Sequence, residues 1–206
     1  KRLGLKMIQE KLGLKTEPKR IECYDISNFQ GAESVASQVV FDEGVPNRDQ
    51  YRRYKIKTVE GANDFASMKE VLTRRLSHVE YENPDLIVVD GGKGQLGMAV
   101  EVLKELKRHE IPVVGLAKAR SEKGTEERVF IPGRQNPVVF PKNSEALHIL
   151  TGIRDEAHRF AITYHRKLRE NRSLESELDA ITGLGEKRKK ALLKRFESIE
   201  QIKVTN

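Results

Sequence analysis

The sequence predicts an α/β fold, a mixed β-sheet flanked by helices with a small helical segment at the C-terminal end. Three observations carry this expectation. Residues 21–59 hold three β-prone runs joined by short polar connections, and the run LIVVD at 86–90 is apolar up to its last residue. The segments that alternate with and follow the later strands repeat apolar residues at helical spacing.

In chain order, Leu3, Met7, Ile8, Leu12 and Leu14 among basic residues predict a lead-in helix that ends near Gly13, with a turn around Pro18. IECYDIS, SVASQVVFD and YRRYKIKTV are the three strands of an antiparallel meander, the second and third joined by a turn at Gly44, Pro46 and Asn47. Asn63 then caps an amphipathic helix with the stripe Phe65, Met68, Leu72, Leu76 and Val79. Pro84 introduces the buried-type strand ending at Asp90, and GGKGQ turns the chain into a helix with Leu96, Val100, Leu103 and Leu106 on one face. VVGLAKA is a second central strand, Arg120 to Glu127 reads as a charged loop, and ERVFIP with PVVFP reads as a small hairpin around 133–136. A helix from Ser144 to about Arg169, with a possible break at Gly152, completes the domain. The expected division is a lead-in segment at 1–19, an α/β domain at 20–171, and a linker with a partial hairpin module at 172–206.

The 206 residues suffice for one α/β domain and an appendage. With 37% hydrophobic and 33% charged residues the chain is expected to fold, and its formal net charge of +7 is compatible with a polyanionic partner without proving one. The single cysteine, Cys23, excludes an intramolecular disulfide and an all-cysteine metal site, and its apolar run predicts a small buried hydrophobe. No run of 18 apolar residues and no leader pattern is present, so the expectation is a cytoplasmic protein with no membrane partner. The start at Lys1 and the end in KVTN, directly after a helical pattern, are expected of a piece of a longer protein.

Three meander strands and a crossover helix leading to a strand with Asp at its end is the connectivity of ribonuclease-H-like nucleases, although the order alone leaves other α/β folds open and it is the acidic residues that narrow the choice. Asp25 and Asp90 fall at the ends of strands that this topology makes neighbours, and Asp64, opening the first crossover helix, can approach the same edge. Carboxylates gathered in one cleft repel one another and call for a divalent cation, and hard oxygen ligands suit Mg²⁺ or Mn²⁺. Such an ion activates water and stabilises a leaving oxygen, which is phosphodiester hydrolysis. His158 lies beside the apolar stripe Ile153, Ala157, Phe160, Ala161, Tyr164 and Leu168, where it can be a metal ligand or a proton donor. Each of these residues also has an ordinary use. Asp25 and Asp90 suit strand-end turns, Asp64 favours a helix dipole, and His158 suits a core edge.

GGKGQ has neither GxxxxGK[ST] nor GxGxxG spacing, so no nucleotide cofactor is expected. Its glycines let backbone pass close to the acidic site, and Lys93 and Lys118 are candidates for phosphate contact. Arg53 and Lys55, in a strand interleaved with Tyr51, Tyr54 and Ile56, and Arg154 and Arg159, near His158, are further DNA-binding candidates. LDAITGLGEKRKKALLKRF predicts two helices around a turn at Gly183, Leu184 and Gly185. Ile181 and Leu184 would plug this hairpin, and Leu192, Leu193 and Phe196 would line its core. Gly183, Gly185, Lys187 and Arg188 are placed for sequence-independent DNA contact.

ECYDISNFQG, YRRYKIKTVEGANDFASMKEVLTRR, PDLIVVDGGKGQL, GLAKA, IRDEAHRFAITYHRK and LDAITGLGEKRKKALLKRF follow one another over nearly the whole chain. In this order they resemble the C-terminal half of the UvrC family, the nuclease subunit of the bacterial UvrABC excision-repair system. The resemblance implies that three aspartates and a histidine form the site, falling on Asp25, Asp64, Asp90 and His158. It implies the incision 5′ to a lesion in double-stranded damaged DNA, with UvrB, loaded by UvrA, as partner. It also implies a helix-hairpin-helix module, of which the first hairpin is present. Asn28 departs from the family, many relatives having histidine after the DIS triplet, and bears on metal preference. Competing readings are another ribonuclease-H-like nuclease, such as a junction resolvase or an RNA-cleaving enzyme, and a non-catalytic DNA-binding scaffold.

Overall fold

The computed structural model describes residues 1–27, 34–59, 63–121, 124–196 and 198–204. The chain forms two compact units, 1–161 and 162–206.

The first unit is a seven-stranded mixed sheet between two helical layers. Its strands are β1 (Arg20–Ser27), β2 (Val35–Asp42), β3 (Val45–Pro46), β4 (Arg52–Lys55), β5 (Leu86–Asp90), β6 (Val113–Ser121) and β7 (Gly124–Phe130). The order is β3-β2-β1-β5-β6-β7, with β4 also paired to β2. β1, β5 and β6 are parallel neighbours and the other pairs are antiparallel. Crossover helices α2 (Asp64–Leu76) and α3 (Lys93–Glu105) return the chain to the parallel strands, as such connections require. They cover one face through Met68, Val71, Leu72, Leu96, Ala99 and Leu103. The other face is covered by α1 (Arg2–Leu12), through Leu5, Ile8 and Leu12, and by the first part of α4 (Glu145–Asp179), through Ile149, Leu150 and Ile153.

Strand alternation sorts the side chains. In β1, Ile21 and Cys23 enter the layer beneath α1 and α4, whereas Tyr24 enters the layer beneath α2 and α3. Asp25, two residues before the end of β1, has the parity of Ile21 and Cys23, and Asp90, the last residue of β5, that of Leu86 and Val88, so both carboxylates lie on the α4 face. Cys23 is buried, as its apolar run requires. The α2/α3 face holds a buried polar network. Glu22, with no exposed surface, accepts from Arg75 Nη2 at 2.7 Å, Arg20 Nε at 3.0 Å and Tyr24 Oη at 2.6 Å. Three donors satisfy a carboxylate that burial alone would make costly.

Several local expectations hold. Gly13 closes α1 in the left-handed region at φ 68°, and the Asn63 side chain accepts from the Ala66 N–H to cap α2. Others are corrected. Val79 lies past the end of α2 and is exposed. The stretch 120–127 is not a loop, because β6 and β7 pair through Arg120↔Thr125 and Ala119↔Glu126, a ribbon whose backbone bonds outweigh its polar composition. The hairpin expected around 133–136 is reduced to one bridge, Val129↔Val138, since the prolines at 132, 137 and 141 supply no N–H to a ladder. Gly152 does not break α4. Packing by Ile149, Leu150 and Ile153 outweighs the cost of a helical glycine, about 1 kcal/mol. Residues 172–178, expected as a linker, continue α4, with Leu174 and Leu178 buried one turn apart.

In the second unit the far end of α4 is followed by α5 (Glu186–Arg195) and α6 (Ile199–Val204). The turn uses Gly183 at φ 87°, and Gly185 precedes α5 in extended conformation. Leu184, Leu192, Leu193 and Phe196 are half-buried, but Ile181 is exposed and does not plug the hairpin. Lys189 turns inward instead and pairs with Asp179 and Glu175, leaving Lys187, Arg188 and Lys190 exposed.

Candidate active site

The site lies where β1 and β5 end, at the carboxyl edge of the parallel strands, where α/β sheets commonly place their chemistry. The β1–β5 register runs Cys23↔Val88 and Tyr24↔Val89, so its continuation sets Asp25 beside Asp90. Across the sheet Asp25 pairs with Ser37, and Ser37 with Arg53, which puts one aspartate and one arginine on the same cross-strand row and face. Ser27 Oγ donates to Asp25 Oδ1 at 2.8 Å. From α4, His158 brings Nδ1 to 3.3 Å from Asp25 Oδ2, and its imidazole is 64% exposed while the Asp25 side chain is 16% exposed. The ring reaches solvent and the carboxylate anchors it.

Loss of water at the strand ends raises the Asp90 carboxyl above its ordinary value. Arg154 opposes the rise, and the like charge of Asp25 adds to it. Two carboxylates held side by side with one of them reluctant to ionise are what a hard cation would relieve. Asp25 and Asp90 therefore fit Mg²⁺ or Mn²⁺ through oxygen ligands, with His158 at the rim. The fit extends to these residues and no further. Among the described residues no three His, Cys, Asp or Glu side chains are gathered as a metal cage. Asp64 is exposed at the first position of α2, and no described contact joins it to Asp25 or Asp90. Asn28 lies outside the described residues.

The loop after β5 explains its glycines. Gly91 has φ 143°, and a Cβ on Gly115, in β6, would stand 2.7 Å from the Gly91 carbonyl oxygen. The backbone of this loop therefore passes close to β6, an approach that needs Gly115. Gly115 is not among the residues expected from the sequence, although a glycine inside a buried strand is the kind of signal that marks such an approach.

The basic candidates divide. Lys93 at the start of α3 and Lys55 are exposed, and Lys118 is exposed with Nζ 4.0 Å from Glu127. Arg53 places its guanidinium 3.7 Å from the Phe160 ring centroid and donates to the Phe160 carbonyl. Arg159 forks onto Glu156, which also accepts from Tyr51 Oη. Arg154 corrects the expectation of a phosphate-facing arginine. It is 6% exposed, its Nη1 and Nη2 donate to Glu127 at 2.7 and 3.1 Å, and its Nε donates to Asp155. Glu127, expected in a charged loop, lies instead in β7 and holds Arg154. A cavity of about 330 Å³ opens beside this pair, lined by Lys118, Lys142, His148 and Thr151 among others.

Among solved structures, the chain is similar to Ciona intestinalis endonuclease V in complex with a 24mer DNA containing an inosine, with a TM-score of 0.40, 16% identity, 53% of this chain and 49% of that one. Bacillus subtilis endonuclease V gives a TM-score of 0.38 and 14% identity over 79% of this chain and 91% of that one. Sequence relatives are far nearer. The UvrABC system protein C of Bdellovibrio bacteriovorus is 65% identical over 98% of this chain and 34% of its own length. That of Methanosphaera stadtmanae is 49% identical over 95% of this chain and 33% of its own length. The chain spans about a third of the length of these curated relatives. The family model described as the UvrC RNAse H endonuclease domain matches residues 9–162, three-quarters of the chain, including the whole of the sheet that carries Asp25 and Asp90 and the part of α4 that carries His158, and the chain belongs to that family.

Proposed function

We propose that this chain is a divalent-metal-dependent DNA endonuclease that makes the 5′ incision beside a lesion in bacterial nucleotide excision repair. Damaged double-stranded DNA is its substrate, and UvrB, loaded by UvrA, its partner. The observation that carries the reading is the convergence of Asp25, Asp90 and His158 at one strand edge within a domain of an endonuclease family.

Asp25 and Asp90 are the residues that would hold Mg²⁺ or Mn²⁺, and Asp64 is assigned the third carboxylate on the resemblance. A divalent ion bound there supplies an activated water and neutralises charge on the phosphate. The protein's own residues do the rest. Ser27 holds one oxygen of Asp25 so that the other faces His158. His158, exposed on its outer side, is a further ligand for the divalent ion or gives a proton to the leaving oxygen, while the water, its proton released to solvent, forms the new bond to phosphorus as the old P–O bond breaks. Lys93, Lys118, Arg53, Lys55 and Arg159 position backbone phosphates, and the positive charge of Arg154 acts on Asp90. Gly183, Gly185, Lys187 and Arg188 hold DNA without reading sequence.

The test is Mg²⁺- or Mn²⁺-dependent nicking of lesion-containing duplex by the full-length protein with UvrB, comparing Asp25→Ala and Asp64→Ala with the parent. The expected result for Asp25→Ala is loss of the 5′ cut with DNA binding and the 3′ cut retained. A 5′ cut at the parent rate removes Asp25 from the chemistry. For Asp64→Ala the same loss would establish the third carboxylate, and parent-like cutting would confine the site to Asp25, Asp90 and His158.

A further inference from the structure

His158 belongs to a helix, whereas the two aspartates beside it belong to the sheet. The site therefore exists only while α4 keeps one rotation over the strand ends. The apolar stripe Ile149, Leu150, Ile153 and Ala157 holds the helix down, but apolar burial is non-directional and resists rotation weakly. A forked ion pair is directional. Arg154 stands one turn before His158 on the same side of the helix. Its two terminal nitrogens meet both oxygens of Glu127, with side-chain exposures of 7% and 16%. Glu127 shares the parity of Val129 in β7, which places it on the α4 face of the sheet. On the opposite flank, Tyr51 Oη donates to Glu156 and Arg53 lies over Phe160. His158 is thus bracketed by contacts from the two sides of the sheet, and the Glu127 contact is the one made by a rigid, bidentate fork.

We propose that Glu127 is a positioning residue of the nuclease, fixing through Arg154 the rotation of α4 that sets His158 against Asp25. The inference rests on the reading of Asp25, Asp90 and His158 as the nuclease site. Glu127 touches no reacting atom. Removing its fork lets the helix turn, and the imidazole leaves its place while Lys93, Lys118 and Lys55, which are not on α4, keep theirs.

The experiment measures steady-state 5′ nicking of damaged duplex by the full-length protein with UvrB and Mg²⁺. Glu127→Gln, Glu127→Asp and, as a control on the opposite face, Glu70→Gln are compared. Glu70 also ties a helix to a neighbouring segment, accepting from the Lys57 and Thr58 N–H groups, but does so far from His158. The expected result for Glu127→Gln is a fall in kcat on the order of tenfold to a hundredfold, as for reacting groups displaced by about 1 Å, with the DNA concentration for half-maximal rate unchanged. Glu127→Asp, which keeps the charge, recovers part of the rate, and Glu70→Gln keeps the parent kcat. If Glu127→Gln leaves no folded protein, Glu127→Asp decides alone: a lowered kcat with unchanged half-saturation and unfolding midpoint supports the proposal. A parent-like kcat in the folded variants overturns it, as does a rise in half-saturation alone. Asp25→Ala, run alongside, separates the two failures. If it cuts at the parent rate the nuclease reading falls, and the positioning role with it.

Discussion

Asp90 carries the clearest consequence at the scale of single residues. Its carboxyl is held above its ordinary value, so the ionised form is disfavoured in the fold relative to the unfolded chain. The penalty is absent below the unfolded pKa and grows as pH rises through the folded one. Asp90→Asn is therefore expected to raise the thermal unfolding midpoint at neutral pH in the presence of a chelator, to leave it unchanged near pH 3, and to abolish nicking. Unfolding scans at the two pH values check the sign. Cys23 behaves oppositely in use. Burial, reinforced by the negative charges of Asp90 and Asp25, pushes its thiol far up, so it stays a protonated, inaccessible group. A thiol reagent is expected to label it only as fast as the domain unfolds, and a labelling rate independent of denaturant would contradict this.

Among the elements, β6 and the loop after β5 are mutually dependent. Gly115→Ala inserts a methyl 2.7 Å from the Gly91 carbonyl oxygen, and overpacking of this kind costs about 1–3 kcal/mol. Urea unfolding is expected to show that loss together with lowered nicking, because the displaced loop follows directly on Asp90. β1 and α2 are joined by Glu22 and Arg75. Glu22→Ala strands a buried guanidinium and is expected to cost about 3–5 kcal/mol, whereas Glu22→Leu with Arg75→Met recovers most of it. These elements also show what the sequence makes legible. Asp25 and Asp90 could be found because each ends an apolar run at a parity that points to one face, and Asn63 because a cap is local. Glu22 could not, since a carboxylate within a strand looks like solvent-facing alternation and its partner lies on a helix about fifty residues away. Glu127 was hidden for a related reason: a charged β-ribbon has the composition of a loop, and only its pairing partner separates the two. Topology allows Asp64 to approach the site, and among the described residues no contact joins the first residue of α2 to Asp25 or Asp90.

For the whole molecule, DNA binding is tested at the exposed basic residues at the start of α5. Lys187 and Arg188 stay exposed at the start of α5 while Lys189 is committed to Asp179 and Glu175. Lys187→Ala with Arg188→Ala is expected to weaken DNA binding for all sequences alike and to reduce the salt dependence of binding by about two counterions, read from affinities at several salt concentrations. The sheet order has a different implication. Asp25 and Asp90 are neighbours across a single pair of strands, yet the exposed turn around Val79 separates them along the chain. A cut there leaves one carboxylate on each piece, His158 and Glu127 going with the second. Neither piece alone holds a complete site, and the seam between β1 and β5 is the joint at which two inactive fragments would have to complement one another to restore cutting.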